Sequence, residues 1–342
     1  MVKESSKKAA TQVEIAELLG ISQVTVHRAL SGHQRVSEKT RKRILKAAEE
    51  IGYQANFFAS QLRSKSPKLL VLGVSYLQDP YCIDITESFE RTAAARGYRI
   101  FLAHLHDEMS SMTFHREILG AHGVKSLALV GGSSPRVSDE VISDLLDAGM
   151  NVALLGRSLN HPRATQVVSN DIKGGRLAAD HFYSLGLRSS WVFVVDGAEA
   201  VSARAYAYCD RMKELGLPEP RILRMPWRSN ISEIFEAAHS VIDRAFTEYP
   251  LPEGIFCIGL TQAMAVSRAA RKRSMQFGKD FRLVGYGDTW QSQFFYPSIT
   301  TIRQPAVEIG RAGAECLIDV LEGRREAGSV ISFEPSLMVR DT

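Results

Sequence analysis

This chain is short of almost everything that would make it a membrane protein, a disulfide-stapled secreted domain or a metalloenzyme. Only four cysteines occur in 342 residues, Cys82, Cys209, Cys257 and Cys316. They are scattered through apolar surroundings without metal-ligand spacing, which reads as reduced core thiols. No apolar run approaches the roughly 20 residues that a membrane-spanning helix needs. The first ten residues are polar and basic with no apolar stretch, so no secretory signal is expected, the expected location is the cytoplasm and a periplasmic protein is excluded. Glycine motifs for phosphates or dinucleotides, the Gly-x-Ser-x-Gly elbow and the His-Glu-x-x-His pair are all missing. His104 and His106 read as a surface pair, since no further ligands stand nearby. No catalytic residue, metal or cofactor is expected, and the absences favour binding over catalysis.

The net charge is small, at +4, but it is unevenly placed. Residues 1–66 hold 12 Lys and Arg against 6 Asp and Glu, a net +6, while residues 67–342 carry −2. A basic head on a slightly acidic body suits a phosphate backbone, because each neutralised phosphate releases counterions.

The head also carries a helix-turn-helix pattern from Thr11 to Leu30. A helix over Gln12 to Leu19 ends at Gly20, which accepts the left-handed backbone of a tight exit. Ser22 caps a second helix beginning near Gln23. Ile15, Ala16, Leu19, Ile21, Val26 and Leu30 supply the contacts between the two, which leaves Gln23, Val24, His27 and Arg28 facing outward as a recognition helix would present them to a major groove. Arg28 and Gln23 are the base-reading candidates, since Arg to guanine is the commonest direct contact. A third helix opens at Ser37, closes the small core with Ile44, Leu45, Ala48 and Ile51, and stops at Gly52. Beyond it, Asn56 can cap a helix over Phe57 to Arg63 that is too short to be stable alone.

These residues, with Arg35-Val36-Ser37, Gly52-Tyr53 and Asn56...Ala59...Leu62, resemble the headpiece of the lactose-repressor (LacI/GalR) family of bacterial transcription regulators, in order and at its spacing. The likeness continues more weakly to Gly285-Tyr286 and Thr300-Thr301-Ile302-Arg303-Gln304-Pro305. It implies DNA contacts from Thr11, Ser22, Gln23, Val24, Thr25, His27, Arg28, Arg35, Ser37, Tyr53 and Asn56, and a leucine, Leu62, inserted into the minor groove to kink the site. The chain departs from the pattern at His27, where a serine is usual, at Ser31 for asparagine, and at Ala55 for the proline before Asn56.

From residue 68 onward short apolar runs alternate with amphipathic stretches. Strands are expected at 69–74, 99–103, 127–130, 152–155, 191–195, 221–225, 254–258 and 282–286. Helices are expected between them near 83–96, 110–121, 139–148, 173–185, 202–215, 231–248 and 261–273. This order predicts doubly wound parallel sheets, and about 275 residues is long for one sheet, so two subdomains are expected. The resemblance implies a headpiece over 1–55, a hinge helix and linker over 56–67, and a two-lobed periplasmic-binding-protein-like core over 68–342. Lobe one would take about 68–166 and 299–328, lobe two about 167–298 and 329–342, with three crossings and a ligand in the cleft.

For that cleft the resemblance implies Arg204 as the residue that fixes the effector and Tyr81 as an aromatic beside it, with Asp79 standing where an asparagine is usual. Trp227 reads equally as a ring platform or as core. Thr261-Gln262 replaces an Asn-Asp pair, and Gly285-Tyr286-Gly287-Asp288 lacks the first of two aspartates, leaving Asp288 as the candidate acceptor. Keeping Arg204 while losing a carboxylate shifts the expectation toward an acidic effector. The function expected is a homodimeric, sequence-specific regulator, a repressor of a pseudo-palindromic DNA site, controlled by a sugar, sugar acid or sugar phosphate. The alternatives are a ligand-independent DNA-binding protein and an α/β enzyme with an accessory DNA-binding head.

Overall fold

The computed structural model describes residues 10–30, 35–53, 68–105, 124–131, 138–156, 161–196, 199–228 and 230–342. The expected hinge over 56–67, the helix near 110–121 and His106 lie outside them. The chain divides into a head, Met1–Pro67, and a core, Lys68–Thr342.

In the head, α1 (Gln12–Leu19), α2 (Gln23–Leu30) and α3 (Glu38–Glu50) form at the expected places. Thr11 and Glu14 close a reciprocal capping box on α1, which contributes about 1 kcal/mol. Gly20 ends that helix at φ 63°, ψ 37°. Ser22 and Ser37 accept hydrogen bonds from Thr25 N and Thr40 N, both at 3.2 Å, and so cap α2 and α3. Ile15, Val26 and Ile44 are fully buried at the centre. Leu45, expected in this core, is 50% exposed, because the buried stripe runs through Ile44, Ala47 and Ala48.

The core begins with β1 (Leu69–Val74), α4 (Pro80–Ala95), β2 (Arg99–His104), β3 (Ser126–Val130), α5 (Asp139–Asp147), β4 (Asn151–Leu155) and β5 (Thr165–Ser169). It continues with α6 (Asp171–Ser184), β6 (Ser190–Asp196), α7 (Glu199–Glu214), β7 (Arg221–Pro226), α8 (Ile231–Glu248), β8 (Gly254–Cys257), α9 (Leu260–Lys272) and β9 (Arg282–Tyr286). A 3-10 turn over Trp290–Phe294, β10 (Thr300–Arg303), α10 (Ala306–Leu321), β11 (Val330–Phe333) and β12 (Ser336–Met338) complete it. Two six-stranded sheets result, ordered β11-β5-β4-β3-β1-β2 and β12-β10-β9-β8-β6-β7.

Both sheets are covered on both faces, which explains the unbroken apolar runs of their central strands. In β1, Leu70, Leu72 and Val74 pack under α4 and α10, while Leu69 and Val71 pack with Ile142 and Leu145 of α5. In β6, Trp191 and Phe193 meet α8 and α9, and Val192 and Val194 meet Phe182 of α6 and Tyr208 of α7. The first sheet is wholly parallel, and the second ends in an antiparallel strand, β12 on β10.

The lobe boundaries differ from expectation. Thr300–Arg303 pairs with β9 in the second sheet, so the chain re-enters lobe one only at Gln304-Pro305. Val330–Phe333 pairs with β5 in the first sheet, so the last crossing lies between Phe333 and Ser336. β11 is a partly exposed edge strand and both β10 and β11 are only four residues long, so neither could be assigned to its sheet from its pattern.

Gly175 marks where the core tolerates least change. A Cβ there would stand 2.1 Å from Arg204 O, so α6 and α7 touch backbone to side at this point. Gly175→Ala should destabilise the core by about 1–3 kcal/mol, measured as a lower urea midpoint.

Candidate functional site

Gln23, Val24, His27 and Arg28 are exposed along one face of α2, while Val26 and Ala29 are buried on the other. Thr25 is half-buried, and Thr11, Ser22, Arg35 and Ser37 are exposed around the same small domain. Tyr53 is half-buried, its hydroxyl accepting from Gln12 Nε2 at 3.0 Å, which ties the end of α3 to the start of α1. Asn56 and Leu62 lie outside the described residues. The head therefore offers a polar reading face held rigid by two hydroxyl caps and a buried apolar contact.

A cavity of about 350 Å³ opens in the core, the size of a small metabolite site. Its walls are the carboxyl ends of strands from both sheets, the usual ligand edge of α/β layers. Lobe one contributes Tyr76, Asp79, Tyr81 and Gly156, and lobe two contributes Arg204, Trp227, Leu260–Gln262, Tyr286 and Gly287. Gln304 lines it from the crossing after β10. Three of the four expected effector residues, Tyr81, Arg204 and Trp227, thus face one space.

Arg204 is 7% exposed and held on every side. Its Nη1 donates to Ile258 O at 2.9 Å, its Nε lies 3.1 Å from Asp171 Oδ1, and its guanidinium stacks 3.8 Å above the Tyr286 ring. The Tyr286 hydroxyl donates to the same Asp171 oxygen at 2.8 Å. Burial opposes the cation, but Asp171 and the two tyrosines outweigh it and push the guanidinium up, so it stays charged. Gly174 makes this possible, since a Cβ there would fall 2.3 Å from Tyr286 Oη. Because Asp171 already neutralises Arg204, this arginine alone does not call for an acidic ligand.

Burial, with Asp171 nearby, pushes the Tyr81 phenol well up and keeps it protonated. Its hydroxyl, Gln291 Oε1 and Gln304 Nε2 are buried without hydrogen-bond partners among the described residues. Asp79 caps α4 by accepting from Tyr81 N at 3.0 Å, and burial raises its carboxyl. Gln291 and Gln304 line the cavity without having been expected there; Gln304 stands in the segment 300–305 that resembles the family, whereas nothing in the sequence marks Gln291.

Asp288 is the correction. Its side chain is 3% exposed and does not line the cavity. Thr301 Oγ1 donates to it at 2.6 Å, Arg303 Nε at 2.8 Å, and Arg340 Nη1 lies at 2.8 Å. β9 ends at Tyr286, and Gly287, at φ 95°, turns the chain out of the extended strand, so Tyr286 and Gly287 line the cavity while Asp288 meets Thr301, Arg303 and Arg340. Burial alone would raise this carboxyl, but hydrogen bonds from Arg340, Thr301 and Arg303 hold it below the usual range.

Comparison with known proteins matches the head. Residues 11–56 fit the model for bacterial regulatory proteins of the lacI family, and residues 179–342 fit a periplasmic binding protein-like domain. The chain thus carries a DNA-binding domain of the lacI family of bacterial regulatory proteins at its head and a periplasmic binding protein-like domain in its core. It is a DNA-binding transcriptional regulator. The regulator DegA of Bacillus subtilis is 24% identical over 331 residues, covering 96% of this chain and 97% of that one. The HTH-type transcriptional repressor PurR of Pectobacterium atrosepticum is 24% identical over 331 residues, covering 97% of this chain and 96% of that one. Among solved structures, a Lac repressor dimer bound to operator and the anti-inducer ONPF has a TM-score of 0.82 at 21% identity, covering 98% of this chain and 99% of that one. A CelR–cellobiose complex has a TM-score of 0.70 at 23% identity, covering 97% and 99%. Among the described residues, no helix is long and apolar enough to cross a membrane. The buried thiols Cys82, Cys257 and Cys316, like half-buried Cys209, are pushed up by burial, so none is a reactive thiolate.

The Asp288 carboxyl is lower in the folded than in the unfolded chain. Its stabilisation is therefore complete above the unfolded value of about 4 and is lost as pH falls through the folded one. Asp288→Asn should cost about 3–5 kcal/mol at neutral pH, by urea titration, and flatten the acid limb of the stability profile. Since Asp288 faces away from the cavity, the folded variant should keep its ligand affinity.

Proposed function

We propose that this protein is a cytoplasmic, homodimeric repressor without catalytic activity, controlled by a small polyhydroxylated metabolite held between the core lobes. A single observation carries the ligand half of this reading: a metabolite-sized cavity lined by both lobes and furnished with buried polar atoms that lack partners. Such atoms cost about 1–3 kcal/mol each unless a ligand or water satisfies them. Tyr81, Arg204, Trp227, Gln291 and Gln304 would hold the effector. The operator lies within reach of the exposed face of α2, where Gln23 and Arg28 read bases. Thr11, Ser22, Val24, Thr25, His27, Arg35, Ser37, Tyr53 and Asn56 would complete the contacts.

The chain is divided in function into a headpiece over 1–55, a hinge over 56–67 and a sensing core from 68. Effector binding changes the relation between the lobes, and hence the separation of the two hinges in the dimer, which sets the population able to insert Leu62. It acts only through its unequal affinity for the two states. Phe101 and Leu102 on β2 and Ile222 on β7 are exposed apolar residues on the outermost described strands of their sheets, and a second copy would cover them.

Titration of the full-length protein against a pseudo-palindromic operator should show affinity falling steeply between about 50 and 200 mM salt. Arg28→Ala should weaken operator binding by about 1–3 kcal/mol and leave scrambled DNA much less affected. Equal loss on both DNAs would remove Arg28 from base reading, and equal wild-type affinity for both would refute specificity. A panel of sugars, sugar acids and sugar phosphates should contain one that shifts operator affinity at least about fivefold.

A further inference from the structure

We infer that the amino end of α9 is an anion subsite of the cavity, built to take a carboxylate or phosphate group on the effector. The inference rests on the reading of the cavity as an effector site and adds the ligand's chemical class. The first N–H groups of a helix have no partner within it and carry its positive dipole end. In α9 these belong to Leu260, Thr261 and Gln262, all of which line the cavity. The cap residue is Gly259, in extended backbone, and no side chain caps the helix. Two other helices start at this cavity among the described residues: α4 is closed by its own Asp79 and α8 by Asn230, which accepts from Glu233 N at 2.9 Å, so an anion meets an open helix end at α9.

Two independent features mark the place for a ligand. Gln304 lines the same cavity, is 8% exposed, and its Nε2 has no hydrogen-bond partner among the described residues. Gly287 stands beside the helix start at φ 95°, and a Cβ on it would find nothing nearer than Leu260 Cβ at 3.9 Å. Its positive φ favours glycine, and the space beside the helix start is therefore open. The neighbouring acid that would repel an anion, Asp288, is turned away and neutralised by Arg303 and Arg340. Arg228 adds a cation to the lining, and the carboxyl of Asp79 on the opposite lobe is raised by burial.

The three tryptophans, Trp191, Trp227 and Trp290, all lie in the core, and Trp227 lines the cavity, so intrinsic fluorescence reports the core without interference from anions on the basic head. Full-length protein would be titrated with inorganic phosphate, with acetate and with neutral glucose at constant ionic strength. Phosphate or acetate should give a saturable change, and the one that does identifies the group. Thr261→Glu adds an acid that favours the helix start and occupies the subsite, and should raise the anion midpoint about tenfold or more. Leu260→Pro removes one N–H at a position where proline suits a helix start, and should raise it about tenfold.

No saturable change with either anion, or unchanged midpoints in both variants, would overturn the subsite. The regulator reading fails separately. A neutral sugar that shifts operator affinity while both anions leave the fluorescence unchanged would sink only the subsite. An anion that saturates the fluorescence while no compound of any class shifts operator affinity would sink only the regulatory role.

Discussion

Moving a guanidinium out of water costs several kcal/mol unless a counter-charge and hydrogen bonds replace the water. Arg204 meets that condition through Asp171, Ile258 O and the face of Tyr286, and each partner comes from a different element of lobe two. Asp171 opens α6 directly after the first crossing, Tyr286 ends β9, and Ile258 follows β8. The knot therefore fixes where three cavity walls stand relative to the crossing. Gly174 and Gly175 are its supports: one leaves space for the Tyr286 hydroxyl, the other lets α7 close on α6 at Arg204 itself.

A second buried network does a different job a few residues away. Asp288, Thr301, Arg303 and Arg340 tie β9, β10 and the segment after β12 together, and none of their bonds faces the cavity. The same sheet thus uses one ionic cluster to shape the ligand space and another to lock its edge. A carboxylate near a pocket in the sequence belongs to either cluster, and only the face it leaves the strand on decides which.

That distinction explains what was legible in the sequence. The three helices of the head were readable almost residue by residue, because their caps, the left-handed glycine and their apolar spacing are local instructions; among their described residues only Leu45 went astray, on a helix whose buried stripe is made mostly of alanine. Strands buried on both faces were readable as apolar runs. The lobe boundaries were not, since β10 and β11 are four-residue strands whose sheet is chosen by long-range pairing with β9 and β5. Arg204, Tyr81 and Trp227 were found and do share a cavity, while Asp288 was placed by adjacency in sequence, which the left-handed turn at Gly287 redirects. Gln291 carried no local signal, for a glutamine becomes a ligand group only when folding buries it unpartnered.

The central claim is that the Arg204 knot shapes the space in which a ligand would act on the DNA-binding head. Arg204→Lys tests it most directly, because lysine keeps the charge beside Asp171 but loses the planar stack on Tyr286 and the forked geometry. Operator affinity of the full-length variant should match the wild type without ligand, and a compound that shifts the wild type's operator affinity should lose about tenfold or more in potency. An unchanged ligand response in this variant would contradict the account.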